Sequence, residues 1–89
     1  MSPLLVTYDL RQPGRNYNDL YEAIKKLGGW WHCLESIWII KTEKSTAQVR
    51  DYLKNYIDVN DGLIVLGLNG NWASYGISNE CSNWLKDNL

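Results

Sequence analysis

The hydrophobic pattern of the chain consists of short apolar runs separated by two longer segments of helical spacing. Apolar runs at residues 4–8 and 63–68 predict inner strands, because consecutive aliphatic residues are typical of strands covered on both faces. The run at residues 30–42 is too long for one typical strand, so it predicts two strands separated near Glu35 and Ser36.

Helical spacing of apolar residues predicts a first helix over about residues 17–27 and a second that opens at Ser45 and supplies core residues as far as Ile57. Gly28 and Gly29 end the first helix, whereas Ser45 and Gln48 form a capping-box pattern at the start of the second. Asn69-Gly70 is a strong hairpin signal and predicts that residues 71–77 return as a strand. A final helix is predicted over about residues 79–87, capped by Ser78.

This order of elements predicts one α+β domain over residues 1–89. It matches a ferredoxin-like split βαβ sandwich (βαββαβ), with an added hairpin strand and a short C-terminal helix. The first and third strands are expected in the centre of an antiparallel sheet, with the helices on one face. The other face is then expected to be uncovered, and pairing with a second copy would protect it.

The amino-acid composition limits the classes of molecule that the chain is expected to bind. The chain has five Trp, six Tyr and no Phe, so every aromatic ring carries a polar atom, which suits half-buried positions and interfaces. The formal net charge of −1 excludes a global basic field that would attract nucleic acid. Polymer binding would therefore require a local basic patch or one formed by an oligomer.

Localisation is predicted from the N-terminus and from the cysteines. The N-terminus does not have the pattern of a signal peptide, and no apolar stretch approaches the roughly 18 residues of a membrane span. Cys33 and Cys81 are therefore expected to be reduced thiols in a cytoplasmic protein that does not bind membranes. With the single His32 they match no zinc motif.

Asp9 is the leading candidate for a functional carboxylate, since it stands where the first apolar run ends and ligands gather at the carboxyl ends of inner strands. The alternative is a turn or capping residue. Arg11 and Arg15 follow in a Pro-Gly loop and form the best local candidate for an anion site. The alternative is that both arginines are solvated loop residues.

Four aromatic residues are candidate platforms on which bases could stack: Trp30, Trp31, Trp72 and Tyr75. For the tryptophans, the alternative is a place in the core or in a dimer interface. His32 is interpreted as a strand residue with one satisfied ring nitrogen rather than as a general base.

Four segments together resemble a known group of small bacterial proteins, the SinR-like proteins: Val6-Thr7-Tyr8-Asp9-Leu10, Gly29-Trp30-Trp31-His32, Leu34-Glu35-Ser36-Ile37-Trp38 and Asp61-Gly62-Leu63-Ile64-Val65. That group is similar in fold to the small dimeric CRISPR-associated integration subunit and to VapD-like toxin ribonucleases. The resemblance implies that Asp9 binds Mg²⁺ or Mn²⁺ and faces a second Asp9 across a dimer axis, where metal-bound hydroxide would attack a phosphodiester. It also places Ser36, a candidate nucleotide contact, on the strand beside Asp9.

The resulting hypothesis is a homodimer or higher homo-oligomer that binds nucleotide or single-stranded nucleic acid. It includes metal-dependent endoribonuclease activity at Asp9. The alternative is a non-catalytic module that sequesters a small nucleotide signal or binds a protein partner in a defence or toxin system.

Overall fold

The elements follow the predicted order up to the fourth strand. A computed structural model describes residues 2–11 and 16–89. In these segments the elements are β1 (Ser2–Asp9), α1 (Asn18–Lys25), β2 (Gly29–Leu34), β3 (Ile37–Thr42), α2 (Thr46–Leu53), β4 (Gly62–Gly67) and α3 (Asn79–Asn88), with a 3₁₀ turn at Lys54–Tyr56. The predicted break between two strands at Glu35 and Ser36 is confirmed, and the chain is an α+β protein.

The four strands form one antiparallel sheet in the order β2-β3-β1-β4. The first and third strands lie in the centre, as predicted. Val6, in the middle of β1, is the register partner of Trp38 on β3 and of Val65 on β4. The sheet therefore joins segments that are far apart in sequence around its first strand.

The main core lies on the face of the sheet that α1 and α2 cover, here called the first face. Side chains of β1 and β3 that point to this face meet the apolar stripes of both helices, as alternation along a strand and helical spacing require. The most deeply buried large side chains of this core are Val6, Leu20, Ile24, Trp38, Ile40, Val49 and Leu53. Full burial of each such side chain stabilises the fold by about 1.5–3 kcal/mol.

Side-chain caps set two of the helix starts. Ser45 Oγ accepts a hydrogen bond from the Gln48 amide at 3.1 Å, and the Ser45 amide donates to Gln48 Oε1 at 2.8 Å, so the predicted capping box is confirmed. Ser78 Oγ accepts from the Cys81 amide at 3.2 Å and caps α3, again as predicted. In the described segments no helix exceeds ten residues, which is too short to cross a membrane.

Gly28 closes the connection between α1 and β2 and meets two constraints at once. Its φ of +154° is one that other residues rarely adopt, and a Cβ at this position would collide with the carbonyl oxygen of Lys41. The close approach of the chain to β3 at this point therefore requires glycine.

The opposite face of the sheet, here called the second face, is half covered, which corrects the prediction that it is open. Over β2 and β3 it is covered by α3 and the segment of residues 68–78. A second apolar cluster there contains the buried side chains of Trp31, Ile39 and Leu85. This cover leaves only the half of the face over β1 and β4 without helices.

The predicted hairpin strand at residues 71–77 is absent, and this segment has no regular structure. Gly70 does adopt the positive φ, +85°, that the hairpin signal implies. Trp72 and Ile77 nevertheless pack onto the second apolar cluster instead of pairing with β4. Burial of these large side chains on the face of the sheet prevails over formation of a further edge strand. The sequence of the turn alone does not predict this outcome.

The uncovered half of the second face exposes two large aliphatic side chains of β4. Ile64 is 51% exposed and Leu66 is 47% exposed. Leu5 and Thr7 of β1, register partners of Leu66 and Ile64, point to the same side. Since β4 is also an edge strand of the sheet, this half is the main unpartnered apolar area of the described chain.

Cys33 and Cys81 are joined in a disulfide, which corrects the prediction of reduced thiols. Their Cα atoms lie 6.3 Å apart although 48 residues separate them in sequence. The bond ties edge strand β2 to the first turn of α3. Sequence reasoning missed the pairing because it depends on α3 folding back over the second face.

Candidate functional site

Asp9 lies at the carboxyl end of β1 with its side chain 69% exposed. Its Oδ2 accepts a hydrogen bond from Nε of Arg11 at 2.9 Å, so the acid and the first of the two predicted arginines form an ion pair. Alternation along β1 places Asp9 on the second face, in line with Leu5 and Thr7. The carboxylate is thus accessible beside the uncovered apolar half of the sheet.

Asp61 fixes the loop beside Asp9, and sequence reasoning missed this role. Its Oδ1 accepts from the Arg11 amide at 2.7 Å, while its Oδ2 accepts from the Tyr17 hydroxyl at 2.7 Å and the Asp58 amide at 2.8 Å. These bonds hold the end of β1, the start of α1 and the turn before β4 together. The only signal in the sequence was an Asp-Gly pair ahead of a strand, which is read first as a turn.

Gly62 leaves space at this site, since it is the register partner of Asp9. A Cβ built on Gly62 would lie 3.8 Å from the Asp9 Cβ and 3.9 Å from Nη2 of Arg11. Thr7, Asp9 and Ile64 line a shallow depression here, of about 290 Å³, on the second face. The depression presents one exposed carboxylate next to one exposed guanidinium.

The described residues of a single copy do not supply a complete set of metal ligands at Asp9. Among the residues that the structure describes, no group of three or more His, Cys, Asp or Glu side chains is arranged to hold a metal ion. Both oxygens of Asp61 are occupied by hydrogen bonds. Mg²⁺ and Mn²⁺ prefer oxygen ligands, so a metal at Asp9 would need water, substrate phosphate and a carboxylate from a second copy.

Ser36 lies in the turn between β2 and β3 with a φ of +60°. Its carbonyl oxygen accepts a hydrogen bond from the Thr7 hydroxyl at 2.8 Å. The turn is therefore attached to β1 two residues before Asp9. The expectation that the start of β3 lies beside the end of β1 agrees with the register, in which Thr7 pairs with Ile37.

The four candidate stacking residues do not form one surface. Trp30 is 43% exposed on the first face, where Nζ of Lys25 lies 5.1 Å from the centroid of its ring. Trp31, the next residue, points to the second face, where it is 5% exposed and donates from Nε1 to the Cys81 carbonyl at 3.0 Å. The burial of Trp31 favours the alternative of a core residue.

Trp72 and Tyr75 both lie in the irregular segment that follows β4. Trp72 packs partly buried against the second apolar cluster, while Tyr75 is fully exposed. Together with Leu5, Ile77 and Leu89, these two residues line a cavity of about 340 Å³ between the segment and the sheet. Its lining carries no charged side chain, so it does not suit a phosphate group. Arg15, the second predicted anion ligand, lies outside the described residues.

A row of aromatic rings crosses the first face beside α1. The rings of His32 and Trp38 are parallel to within 3°, with centroids 3.8 Å apart, and Trp30 lies 5.5 Å from Trp38. His32 Nδ1 lies 2.8 Å from the Ile37 carbonyl oxygen, to which it donates in the tautomer with Nδ1 protonated. The expectation of one satisfied ring nitrogen is met, and Trp30 is an exposed member of this aromatic row.

Burial shifts the pKa of Tyr8, whose hydroxyl group accepts a hydrogen bond from Trp38. The pKa of Tyr8 lies above its ordinary value because burial disfavours the phenolate; the hydrogen bond from Trp38 partly offsets this and neighbouring Tyr21 adds to it. Tyr8 is therefore a neutral hydroxyl group at physiological pH.

These features define two exposed locations: the carboxylate and guanidinium at the end of β1, and the tryptophan with its lysine on the outer part of the first face. No protein-family model matches the chain, and no solved structure matches it significantly.

Proposed function

We propose that the chain acts as a homodimer that binds nucleotide or single-stranded nucleic acid, with Asp9 as the metal ligand for phosphodiester cleavage. One observation carries the proposal: the exposed Asp9 carboxylate lies on the same sheet face as the exposed side chains of Ile64 and Leu66. A partner that covers the apolar half of that face therefore comes to lie next to Asp9.

A second copy is the partner that this surface suits. Ile64 and Leu66 stand on edge strand β4, whose outer backbone groups are available to another strand. A two-fold axis through this half of the sheet joins identical patches and buries the aliphatic side chains of both copies. When the second faces of two copies pack against each other with the axis near the end of β1, the two Asp9 carboxylates face each other across it.

Two facing carboxylates would repel each other unless a cation lies between them. The two Asp9 carboxylates, with water, would hold Mg²⁺ or Mn²⁺, and the ion would supply that charge and the activation of water for attack on a phosphodiester. Arg11 would give up its ion pair with Asp9 and bind the phosphate group instead. The ion pair it gives up is exposed, and such pairs contribute about 0–1 kcal/mol, so the exchange costs little.

The exposed tryptophan of the first face supports binding independently of cleavage. Trp30 is 43% exposed and the Lys25 ammonium group lies over its ring, so a base that displaces this group could stack on the ring while the ammonium group pairs with the phosphate. Tyr75 is a second exposed ring. These two residues, with Arg11, Arg15 and Ser36, remain the proposed nucleotide contacts, whereas the burial of Trp31 and Trp72 favours structural roles.

The ferredoxin-like topology belongs to this proposal. An antiparallel sheet with central β1 and β3, and with α1 and α2 on one face, supports it. The resemblance to SinR-like proteins and the cytoplasmic location also remain predictions.

Cleavage of labelled single-stranded RNA and DNA in Mg²⁺ or Mn²⁺ tests the proposal, with wild type compared to Asp9→Asn. We expect cleavage by the wild type and its loss in Asp9→Asn, while oligomer mass and thermal midpoint are retained. Asp51→Asn is the matched control, because Asp51 is an exposed acid on α2, whose buried side packs on the first face. Equal cleavage by wild type and Asp9→Asn, or none by either, overturns the catalytic assignment.

The binding component has its own test. Titration with mononucleotides and short oligonucleotides should quench tryptophan fluorescence, and Trp30→Leu should weaken binding about 5- to 150-fold, since stacking contributes roughly 1–3 kcal/mol per base. Trp72→Leu serves as the control, because Trp72 is partly buried in the second apolar cluster, on the face of the sheet opposite to Trp30. Equal affinity of Trp30→Leu and wild type would remove Trp30 from the site.

A further inference from the structure

The disulfide between Cys33 and Cys81 is accessible to solvent. Cys33 is exposed on edge strand β2, and Cys81 is half-buried in the first turn of α3. A disulfide that only stabilises a core is usually enclosed, whereas this bond lies at the margin of the sheet. An incoming sulfur can therefore reach it without the fold opening.

A cleft of about 250 Å³ adjoins the bond. Both cysteines line it, together with Trp30, His32, Glu80 and Trp84. The cleft has apolar walls with one acidic and one imidazole side chain, and it provides room for a small thiol beside the sulfur atoms. The bond thus lies in a recess that admits a reactant.

The two sulfurs differ in their surroundings. Cys81 follows the Ser78 cap, so its sulfur lies near the amino terminus of a ten-residue helix, where the helix dipole stabilises a thiolate. Cys33 is on a strand and is the more exposed of the two. Attack at Cys33 with departure of Cys81 as thiolate is therefore the favoured direction of exchange.

Besides the disulfide, a small set of contacts holds α3 on the sheet. Leu85, 5% exposed, is its one buried side chain, and Trp84 packs partly buried in the same cluster. Trp31 Nε1 donates to the Cys81 carbonyl at 3.0 Å, and Lys41 Nζ donates to the Asn88 carbonyl at 2.9 Å. Helices of this length are marginal on their own in water, so the attachment of α3 depends strongly on the covalent tie.

From these observations we propose that Cys33 and Cys81 form a reversible thiol–disulfide exchange site for small-molecule or protein thiols. The disulfide holds α3 on the second face, and its reduction allows α3 to detach and exposes Trp31 and Ile39. This inference is independent of the function proposed for Asp9.

The exchange balances as two successive substitutions. The thiolate of one incoming thiol attacks Cys33 Sγ; the Cys33–Cys81 bond breaks, a mixed disulfide forms on Cys33, and Cys81 leaves as a thiolate that takes up a proton. A second incoming thiol attacks the mixed disulfide and releases Cys33. Two thiols are oxidised to one external disulfide, and the protein disulfide is reduced to two thiols.

The test equilibrates the wild-type chain in glutathione redox buffers without denaturant. Alkylation followed by intact-mass measurement gives the dithiol fraction, and amide hydrogen exchange reports which elements open. We expect full reduction under native conditions, with α3 amides exchanging about tenfold faster or more, while β1 and β3 amides keep their protection. A neutral apolar dye, N-phenyl-1-naphthylamine, should also fluoresce more strongly with the reduced chain.

Two results would overturn the proposal: reduction that occurs only when β1 and β3 lose protection together with α3, or equal protection of α3 in both states. The double variant Cys33→Ser/Cys81→Ser is the control for effects of glutathione itself. Its α3 should exchange as fast as in the reduced wild type and should not respond to the buffer. If the double variant does not fold, the wild-type comparison alone decides.

Discussion

Trp38 donates a hydrogen bond from its indole Nε1 to the Tyr8 hydroxyl, at 3.0 Å, across the two central strands of the sheet. Trp38 is 1% exposed, so its N–H depends on this protein acceptor. The bond also orients the indole on which the His32 ring stacks. A single phenolic oxygen thus supports the aromatic row that includes Trp30.

Replacing Tyr8 by Phe should lower the free energy of unfolding by about 1–3 kcal/mol, because it leaves the buried Trp38 donor without an acceptor. Urea denaturation followed by tryptophan fluorescence measures the change. Tyr75→Phe makes the same chemical change at a fully exposed site and should alter stability by less than about 0.5 kcal/mol. Equal effects of the two variants would show that the Trp38 bond contributes little.

Alkaline pH should destabilise the fold through Tyr8. Its pKa in the folded state lies above the ordinary value of 10.0, chiefly because of burial, so the folded chain holds this proton more tightly than the unfolded chain. The resulting stabilisation is complete below pH 10.0 and disappears as pH rises through the folded pKa. Unfolding free energies measured at increasing pH should fall less steeply for Tyr8→Phe than for wild type.

This comparison also separates Tyr8 from Tyr52, whose pKa is raised by burial and by the neighbouring Tyr56. Tyr52 is unchanged in the variant and contributes equally to both curves. Parallel curves for the two proteins would contradict the assignment to Tyr8.

Gly28→Ala should destabilise the chain by more than about 1 kcal/mol, because alanine tolerates neither the positive φ nor the close approach of the Lys41 carbonyl. Thermal and urea unfolding measure the effect. Gly67→Ala is the matched control, since a Cβ at Gly67 meets no atom within 4 Å. A Gly28→Ala variant as stable as Gly67→Ala would contradict the observed connection between α1 and β2.

Ile64→Lys should convert the proposed dimer into a monomer, because it places a charge in the apolar half of the second face. Sedimentation velocity measures the mass. Val59→Lys is the control, as Val59 is 95% exposed in the turn before β4 and belongs to neither apolar cluster. A wild-type chain that stays monomeric at high concentration would remove the basis for pairing the two Asp9 residues.

Sequence reasoning succeeded where the determining signals are local. The capping box of Ser45 and Gln48 and the cap at Ser78 involve residues three apart, and both define helix starts in the structure. The central position of β1 and β3 followed from the order of the elements. These features need no knowledge of how distant segments meet.

Sequence reasoning failed where distant segments compete for the same surface. The Asn69-Gly70 pair predicts a hairpin but contains no information on the second apolar cluster, against which Trp72 and Ile77 pack. The same fold-back of the C-terminal part brings Cys81 to Cys33 and buries Trp31 while Trp30 stays exposed. For Asp9, the sequence indicated an exposed acid at a strand end, but the role of Asp61 beside it emerges only from the tertiary arrangement.

The two edge strands of the sheet, β4 and β2, differ in their ability to pair with a further strand. Along β4 the pairing with β1 is regular over six positions, so its outer side is a straight template for a further strand. Along β2 the register shifts between Trp31 and Leu34, and irregularities of this kind bend an edge away from further pairing. Two copies joined through β4 would thus present only β2 at both ends, and addition of strands would stop at a finite particle instead of continuing into a fibre.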